Sequence, residues 1–377
     1  MCAPTTTRPL RVAYLSFQAV VEGQDTWAAV LELVRAMRES GWVVDERFVS
    51  YREGTTPGRV TRLAEMWRVQ RRLIRDLHLY DAIYIRGHFF AWNVARVARK
   101  RGVVVIQECN GSYEDLFVAW PSLRYARPLF EALGRSQLRG ADAVICVTPQ
   151  LAAWVKAESG RADADVSPNG ANLDAFSPAA PRRSGLPQRY VTFFGQFAAW
   201  QGIPIVFEAM SLPDWPEGLS FVLVGDGALA AEVAKVAASD GRVVYVGRLP
   251  YLEVAGVVAG AVASLVPTYN PERAATGLSQ LKVYESMACG VPVIVSDTAG
   301  QADMVTAEQC GLVVTAGDPV DLARAVGRIV ADPQSAAEMG RRGREAAVAR
   351  HSWAARARER MAITERAISS RTRPAPS

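Results

Sequence analysis

The sequence predicts an α/β protein with two doubly wound domains in tandem, and three observations carry this prediction. A chain of 377 residues is long enough for two domains of ordinary size. Apolar runs of strand length alternate with helical patterns, as they do in the βαβ units of a parallel sheet. The alternation stops at residues 176–190, which hold three prolines and a glycine, and restarts after them. We therefore expect domains at 1–180 and 188–345, joined by this linker.

The first half of the chain contains five strand-like apolar runs. These predicted strands are residues 10–17, 43–50, 81–86, 103–107 and 143–147. A helix is predicted from about residue 26 to 40, where Gly41 ends it. Another helix runs up to Lys100 and ends at Gly102, and a third begins near Pro149. Strands that alternate with helices in this way indicate a parallel sheet.

The second half repeats this alternation. Its predicted strands are residues 190–194, 221–224, 243–246, 263–266 and 291–295. A helix is predicted at 203–210, and a basic, alanine-rich helical stretch runs from about residue 318 to a frayed tail at 369–377. Doubly wound domains bind ligands at the carboxyl ends of their strands, so we expect the two domains to face each other across a shared cleft.

Composition excludes several classes of protein. Half of the residues are hydrophobic and 21% are charged, which is typical of a globular chain rather than a disordered one. The five cysteines are scattered and form no C-x-x-C pair, and the three histidines do not cluster, so neither a disulfide framework nor a metal site is expected. No signal peptide and no apolar run of about 20 residues is present. These features predict a cytoplasmic protein with reduced thiols.

The positive charge is concentrated in two segments. Residues 341–377 hold ten arginines against three glutamates, whereas the whole chain has a net charge of only +5. The stretch Arg59–Asp76 holds six arginines against two acidic residues, with apolar residues at helical spacing. We interpret it as an amphipathic surface helix with a solvated basic face, and the alternative is a helix that lies on an anionic membrane. Nucleic acid is not expected as a partner, because no interleaved aromatics or recognition motif accompany the charge.

Three glycine turns are candidates for binding chemistry. Gly23 precedes the first long helix, whose backbone amides would suit a phosphate, although an ordinary loop explains this turn equally well. Gly195 follows a predicted strand and is succeeded by Gln196 and by Gln201 in a Trp-Gln-Gly turn. Gly225 lies in a Gly-Asp-Gly turn after the next strand. Each turn alone is a weak signal, because glycine after a strand often only turns the chain.

A fourth turn, at residues 276–292, is richer in functional groups. Its loop opens a predicted helix that carries Lys282 and Glu285 three positions apart on one face. A helix N-terminus with a lysine can hold a diphosphate, and a carboxylate one turn further can accept hydrogen bonds from the vicinal hydroxyls of a sugar. The alternative is an ordinary surface ion pair between the two side chains.

Over almost its whole length the chain resembles the retaining glycosyltransferases of family 4, which have the GT-B fold. Residues 139–147 are similar to the family's strand before the inter-domain region, and five motifs follow in the family's order. They are P-N-G-A-N-L-D-A-F at 168–176, the glycine turn at 195–202, V-G-D-G ending at 227, the V-G-R-L turn at 246–249 and S-Q-L-K-V-Y-E-S-M-A-C-G-V-P at 279–292. The last is similar to a subgroup pattern S-P-L-K-L-x-E-Y-M-A-x-G-x-P. The order and spacing of the set are more specific than any single motif. The resemblance also implies that a C-terminal helix at about 350–368 packs back on the first domain.

The resemblance implies a retaining transfer of a sugar from a nucleotide-diphospho-sugar to a hydroxyl acceptor, such as a sugar or a lipid-linked sugar, in the synthesis of surface polysaccharide, glycolipid or glycoconjugate. No cofactor and no metal are implied, because helix dipoles and basic side chains take over the electrostatic work. Glu285 would bind the ribose, and Lys282, Ser279 and the amides of Gln280 and Leu281 would hold the diphosphate or sugar. The donor-binding set is completed by Gly23, Gly195, Gln196, Gln201, Gly225, Arg248 and Leu249.

The sequence also departs from the family pattern. Gln196 and Gln201 stand where an arginine and a lysine usually grip the diphosphate, and Gly277 stands eight positions before Glu285, where the family usually has a second glutamate. A catalytically degraded binding or partner subunit is therefore the alternative function. Candidate acceptor-side catalytic residues are grouped after two predicted strands of the first domain: Glu108 and Asn110, which resemble a subgroup E-x-N motif, with His88 and, beside it, Arg86.

Overall fold

The computed structural model describes residues 8–18, 20, 25–51, 58–273 and 275–372. The chain divides into two compact units. The first unit contains the chain up to Pro168, apart from the beginning of the first helix, and the C-terminal residues from Arg356 onward. The second unit contains Asn169–Ala355 and that helix beginning, up to Ala29.

The first unit is built on a six-stranded parallel sheet. Its strands are β1 (Arg11–Ser16), β2 (Val43–Phe48), β3 (Ala82–Arg86), β4 (Val104–Cys109), β5 (Ala143–Cys146) and β6 (Asp165–Val166). The helices that occur between or beside them are α1 (Asp25–Glu39), α2 (Arg59–Asp76), α3 (Trp92–Lys100), α4 (Glu114–Ala119), α5 (Arg127–Gly140) and α6 (Pro149–Ser159). The strand order is β2-β1-β3-β4-β5-β6, so the order reverses at β1.

The second unit repeats this architecture. Its strands are β7 (Tyr190–Gln196), β8 (Ser220–Asp226), β9 (Val243–Gly247), β10 (Ala263–Val266), β11 (Val293–Ser296) and β12 (Gly311–Val314), in the order β12-β11-β10-β7-β8-β9. Its helices are α7 (Ile203–Ala209), α8 (Ala230–Ser239), α9 (Tyr251–Val258), α10 (Leu281–Ala288), α11 (Gln301–Glu308), α12 (Pro319–Ala331) and α13 (Pro333–Ala349). The last helix, α14 (Trp353–Thr372), belongs to the first unit from Arg356 onward.

Both sheets carry buried side chains on two faces. Phe193 and Phe194, consecutive in β7, belong to different apolar clusters, because successive side chains of a strand point to opposite faces. In the first unit, Tyr14 of β1 and Tyr84 of β3 stack with ring centroids 5.0 Å apart. The buried guanidinium of Arg360, on α14, hydrogen-bonds the Tyr84 hydroxyl at 3.4 Å. The C-terminal helix thus supplies a charged side chain to the interior of the first unit.

The predicted α/β class and parallel sheets are confirmed, and the structure refines the element assignments. Two short strands were not predicted: β6 has two residues, and β12 has a mostly half-exposed pattern without a continuous apolar run. The unit boundary lies at Pro168, ahead of the proline-rich segment 176–190. Phe176 explains the difference, because its side chain is buried in a core cluster of the second unit and its carbonyl accepts a hydrogen bond from Arg344.

No helix in the described part of the chain is both long enough and apolar enough to cross a bilayer.

Candidate functional site

The strand order of each sheet reverses at its first strand, and ligands of open parallel sheets bind outside the carboxyl ends of the strands at such a reversal. In the second unit this point lies between β7 and β10, and in the first unit between β1 and β3. Predicted donor residues such as Gly195 and Gln196 lie near this point in the second unit, and predicted acceptor-side residues such as Arg86 and Glu108 lie near it in the first unit.

Two glycines allow the backbone of the second unit to approach itself closely at this edge. Gly225 has φ 146°, and a Cβ there would lie 1.9 Å from the carbonyl oxygen of Gly195. Gly202 has φ 75°, and a Cβ there would lie 1.8 Å from the carbonyl oxygen of Pro267. Side chains are excluded at both positions by conformation and by space. The backbone therefore makes close approaches to itself where β7, β8 and β10 end.

The loop before α10 is held in place by hydrogen bonds. The Asn169 amide nitrogen donates to Ser279 Oγ at 3.1 Å, and Asn169 Nδ2 donates to the Ser279 carbonyl at 2.6 Å. Gln280 is buried, and its Nε2 donates to Thr268 Oγ1 and to Gln301 Oε1. The Gln280 side chain therefore has a structural role. The backbone amides that begin α10, at Leu281 and after it, are held by this fixed loop.

Lys282 is a buried cation at the end of β7. Its Nζ donates to Gln201 Oε1 at 2.8 Å and lies 3.9 Å from the centroid of the Phe193 ring. A Cβ at Gly195 would lie 3.4 Å from this Nζ, so the absent side chain leaves room beside the ammonium group. One turn further along α10, Glu285 is also buried, and its Oε1 accepts from the Tyr251 hydroxyl at 2.9 Å. The alternative of a surface ion pair is wrong, because both side chains are buried.

The other predicted donor residues are more exposed. Gln196, the last residue of β7, and Arg248 are exposed, and Leu249 is half-buried against the core. Gly277 has φ 69° and donates its amide to the Arg273 carbonyl, so glycine suits the backbone at the position where the family usually has a glutamate. Gly23 lies outside the described residues.

In the first unit, three of the predicted acceptor-side residues, Glu108, Arg86 and Asn110, belong to a hydrogen-bond network centred on buried Glu108. Oε1 of Glu108 accepts from Arg86 Nη1 and from Asn110 Nδ2, each at 2.9 Å. Its Oε2 accepts from the Tyr14 hydroxyl at 2.7 Å and lies 3.4 Å from Arg360 Nη1. Two hydrogen-bonding or charged neighbours thus occupy each carboxylate oxygen, and the Glu108 side chain is only 1% exposed.

The charge state of this network follows from its contacts. Burial by itself opposes ionisation of Glu108, but the guanidinium groups of Arg360 and Arg86 lower the pKa of the carboxyl below its ordinary value. Burial also raises the pKa of Tyr14, so this phenol stays neutral and acts as a donor. Glu108 is therefore an ionised acceptor whose lone pairs are already used, and it positions its neighbours.

His88 lies just after β3, and its ring nitrogens have distinct environments. Its Nδ1 accepts from the backbone N–H of Phe90 at 3.2 Å, which begins a short 3₁₀ helix. Burial lowers the pKa of the imidazole to about 4. The ring is therefore neutral at pH 7, and the hydrogen bond at Nδ1 assigns the proton to Nε2. In this tautomer His88 can donate a hydrogen bond to a substrate oxygen, but it is poorly suited to remove a proton.

Sequence reasoning missed several members of this network, among them Tyr14, Arg360 and Gln18. Arg360 lies in an arginine-rich helix where nothing in the pattern distinguishes it from its exposed neighbours. Gln18, whose Oε1 accepts from Arg86 Nε at 3.1 Å, lies in the loop after β1 and carries no motif.

Comparisons with known proteins agree with this architecture. A family model described as Glycosyltransferase Family 4 matches residues 28–175, and one described as Glycosyl transferases group 1 matches residues 188–332. A sucrose-phosphate synthase from Thermosynechococcus elongatus superposes with a TM-score of 0.77 at 21% identity, covering 96% of this chain and 100% of that one. The fold is the GT-B fold of glycosyltransferases. The chain belongs to glycosyltransferase family 4.

Two curated relatives extend the comparison. The chain is 30% identical to a 2-deoxystreptamine glucosyltransferase of Streptomyces kanamyceticus over 238 residues, which are 59% of this chain and 60% of that protein. It is 26% identical over 278 residues to a GDP-mannose-dependent alpha-(1-6)-phosphatidylinositol monomannoside mannosyltransferase of Mycolicibacterium smegmatis, covering 69% of this chain and 70% of that protein. The first match thus spans less than two thirds of that relative's length.

Proposed function

We propose that the protein is a retaining, metal-independent glycosyltransferase that moves a sugar from a nucleotide-diphospho-sugar to a hydroxyl acceptor. The observation that carries this proposal is the placement of buried Lys282 and Glu285 on one face of α10, beside the glycine turns that end β7 and β8. One relative is named a glucosyltransferase and the other a GDP-mannose-dependent mannosyltransferase, and both names fit a donor of this class.

In this proposal the second unit binds the donor. The Glu285 carboxylate, oriented by Tyr251, accepts hydrogen bonds from the ribose hydroxyls. The Lys282 ammonium and the amides that begin α10 face the diphosphate, and Gly195 and Gly225 let it approach the backbone. Arg248 and Leu249 contact the base through their backbone groups.

The mechanism is a front-face displacement with electrostatic stabilisation of the leaving group. As the bond between the sugar and the diphosphate breaks, negative charge grows on the diphosphate, and a fixed cation at Lys282 stabilises it without reorganisation. The leaving diphosphate takes the proton of the acceptor hydroxyl, so no protein base is needed. This fits the first unit, where Glu108 is already saturated and His88 presents an N–H. The role of Glu108 is to hold Asn110 and Arg86 toward the acceptor.

The acceptor class is a sugar or a lipid-linked sugar. A surface of α2 that carries both arginines and exposed apolar side chains would bring the enzyme to a membrane. Within α2, Val69 and Leu73 pack inward, whereas Val60, Leu63 and Trp67 are 81%, 53% and 53% exposed. The exposed apolar side chains lie among six arginines, and Arg71 stacks over the Trp67 ring at 4.5 Å. Exposed apolar groups with a basic fringe suit an anionic bilayer. We propose peripheral contact through this helix.

Flotation with vesicles that contain anionic lipid tests the membrane contact. The wild type should float, and the Arg71→Glu/Arg72→Glu variant should float less, because each basic residue near the surface contributes about 1 kcal/mol. Arg358→Glu, a reversal at an exposed residue of α14, is the control. A wild type that stays at the bottom of the gradient at low salt would exclude the proposal.

Nucleoside diphosphate binding tests the donor site. Thermal unfolding is measured with UDP, GDP, ADP and dTDP, because a ligand at 100 times its Kd adds about 2.7 kcal/mol to stability. One diphosphate should raise the midpoint, and Glu285→Ala should weaken its binding about ten- to hundredfold, since it loses charge-assisted hydrogen bonds. Glu232→Ala, at an exposed glutamate of α8, is the matched control. Binding of none of the four would favour the alternative of a degraded partner subunit.

A further inference from the structure

The strand reversal of the first unit carries a charged side chain that the donor site does not use. Arg86 ends β3, and its Nε donates to Gln18, which follows β1. The guanidinium therefore bridges the carboxyl ends of the two strands between which the strand order reverses. Ligands of doubly wound sheets bind at this point.

The network behind Arg86 carries an excess of positive charge. It contains two guanidinium groups, Arg86 and Arg360, and one carboxylate, Glu108, so its net charge is +1. The hydroxyls of Tyr14 and Tyr84 remain neutral because burial raises the pKa of each. Glu359, the nearest further acid on α14, is itself paired with Arg356. Burial of an unbalanced positive charge raises the free energy of the folded protein unless an anion or solvent contacts the charged group.

Arg86 is the charged member of this network that is exposed enough to bind an anion. Its side chain is 12% exposed, whereas those of Arg360 and Glu108 are each 1% exposed. Its Nε and Nη1 are used by Gln18 and Glu108, and among the described residues no acceptor lies on Nη2. The hydrogen bond to Glu108 fixes the plane of the Arg86 guanidinium, so ligand binding does not have to restrict the motion of this side chain further. Asn110 follows the neighbouring strand β4, and His88 follows β3 two residues after Arg86.

We propose that Arg86 forms a binding subsite for a phosphoryl group at the carboxyl edge of the first sheet. A guanidinium in a fixed plane matches the tetrahedral oxygens of phosphate better than an ammonium does. The phosphoryl group comes either from a phosphorylated acceptor or from the donor diphosphate. The assignment to a substrate rests on the proposed function, but the subsite itself does not.

Binding of inorganic phosphate, at constant ionic strength, tests the subsite directly. Calorimetric titration is carried out on the wild type, Arg86→Gln, Arg86→Lys and Lys282→Gln, with Arg96→Gln as a control at an exposed arginine of α3. We expect Arg86→Gln to bind phosphate about tenfold more weakly than the wild type, which corresponds to about 1.4 kcal/mol. The affinity of Arg86→Lys should lie between those of the wild type and Arg86→Gln. Arg96→Gln should match the wild type, and Lys282→Gln measures how much of the phosphate binds at the donor site instead. Arg86→Gln leaves Glu108 with one cation fewer and should lower the unfolding midpoint, so binding is compared at a temperature at which every variant is folded, and Arg86→Lys, which keeps the charge, shows whether folding or binding is lost.

A second titration with the nucleoside diphosphate identifies the source of the phosphoryl group. If Arg86→Gln binds the diphosphate as the wild type does, the phosphoryl group belongs to the acceptor; if it loses both ligands, the group belongs to the donor. Unchanged phosphate binding in Arg86→Gln, or none in the wild type, overturns the subsite. Failure of the proposed function looks different, because the diphosphate would then not bind while inorganic phosphate still bound in an Arg86-dependent way.

Discussion

At the scale of single residues, the contact between Gln201 and Lys282 changes the meaning of a departure from the family pattern. A glutamine in place of a lysine suggests a lost cation. In the structure, Gln201 is buried and its Oε1 accepts from Lys282 Nζ at 2.8 Å. A lysine at 201 would place two ammonium groups together, and their repulsion is large at low dielectric. The glutamine therefore orients a cation supplied by α10.

An exchange of these two residues tests this interpretation. We expect Gln201→Lys to weaken nucleoside diphosphate binding about tenfold, because the added charge displaces Lys282, and Lys282→Gln to weaken it about as much. The double variant Gln201→Lys/Lys282→Gln should bind the nucleoside diphosphate more tightly than the sum of the two single changes in binding free energy predicts. A double-mutant cycle measures this difference. Tighter binding by Gln201→Lys alone would indicate a degraded donor site.

The residues of the donor loop could be predicted from the sequence because they are contiguous. Lys282 and Glu285 are three positions apart in α10, so spacing alone places them on one face, and Ser279 lies in the loop directly before this helix. The acceptor-side network could be predicted only in part. Glu108 and Asn110 are neighbours along the chain, but their partner Arg360 lies 252 positions away from Glu108, and local pattern carries no information about such contacts.

At the scale of elements, Arg360 in the middle of α14 links this helix to other residues of the first unit. Arg360 Nε donates to Ser167 Oγ and its Nη2 to the Ser167 carbonyl, and Nη1 lies beside Glu108. The helix is rich in arginine, yet Arg360 is buried, as is Arg356 one turn earlier. The element was predicted from composition, but its inward face was not.

Loss of this charge should destabilise the first unit. We expect Arg360→Met to lower the free energy of unfolding by about 3–5 kcal/mol, because it leaves the buried Glu108 carboxylate with one cation fewer and Ser167 without a donor. Arg358→Met, at an exposed position on the same helix, should change stability by less than about 0.5 kcal/mol. Urea unfolding of the three proteins measures the difference. Equal midpoints would mean that Arg360 does not hold the helix.

At the scale of the whole molecule, each unit has its own apolar cores and its own reversal point, and the halves differ in what they present there. The sequence predicted two similar domains because strand and helix periods repeat in both halves. It misplaced their boundary because a proline-rich segment need not be a free linker when it carries an apolar residue such as Phe176. A stability response confined to one unit is therefore expected when only that unit contains the group that titrates.

His88 provides such a response in the first unit. Burial lowers the pKa of His88 from 6.5 to about 4. Between pH 4 and pH 6.5 the imidazole is therefore protonated in the unfolded chain but neutral in the folded unit. Stability is then complete above about pH 6.5 and falls as the pH drops toward 4. The loss amounts to at most about 2 kcal/mol at pH 5, and solvent around the half-buried ring reduces it.

His88→Asn isolates this effect, because an asparagine oxygen can still accept from the Phe90 amide while the side chain no longer titrates. Hydrogen exchange at pH-corrected rates should show that β1 and β3 lose protection between pH 7 and pH 5 in the wild type but not in His88→Asn. The strands β7 and β8 of the second unit serve as an internal control, because their protection should be the same in the wild type and in His88→Asn. Equal loss of protection in both proteins would show that the imidazole is already solvated in the folded unit and that its tautomer is free to change.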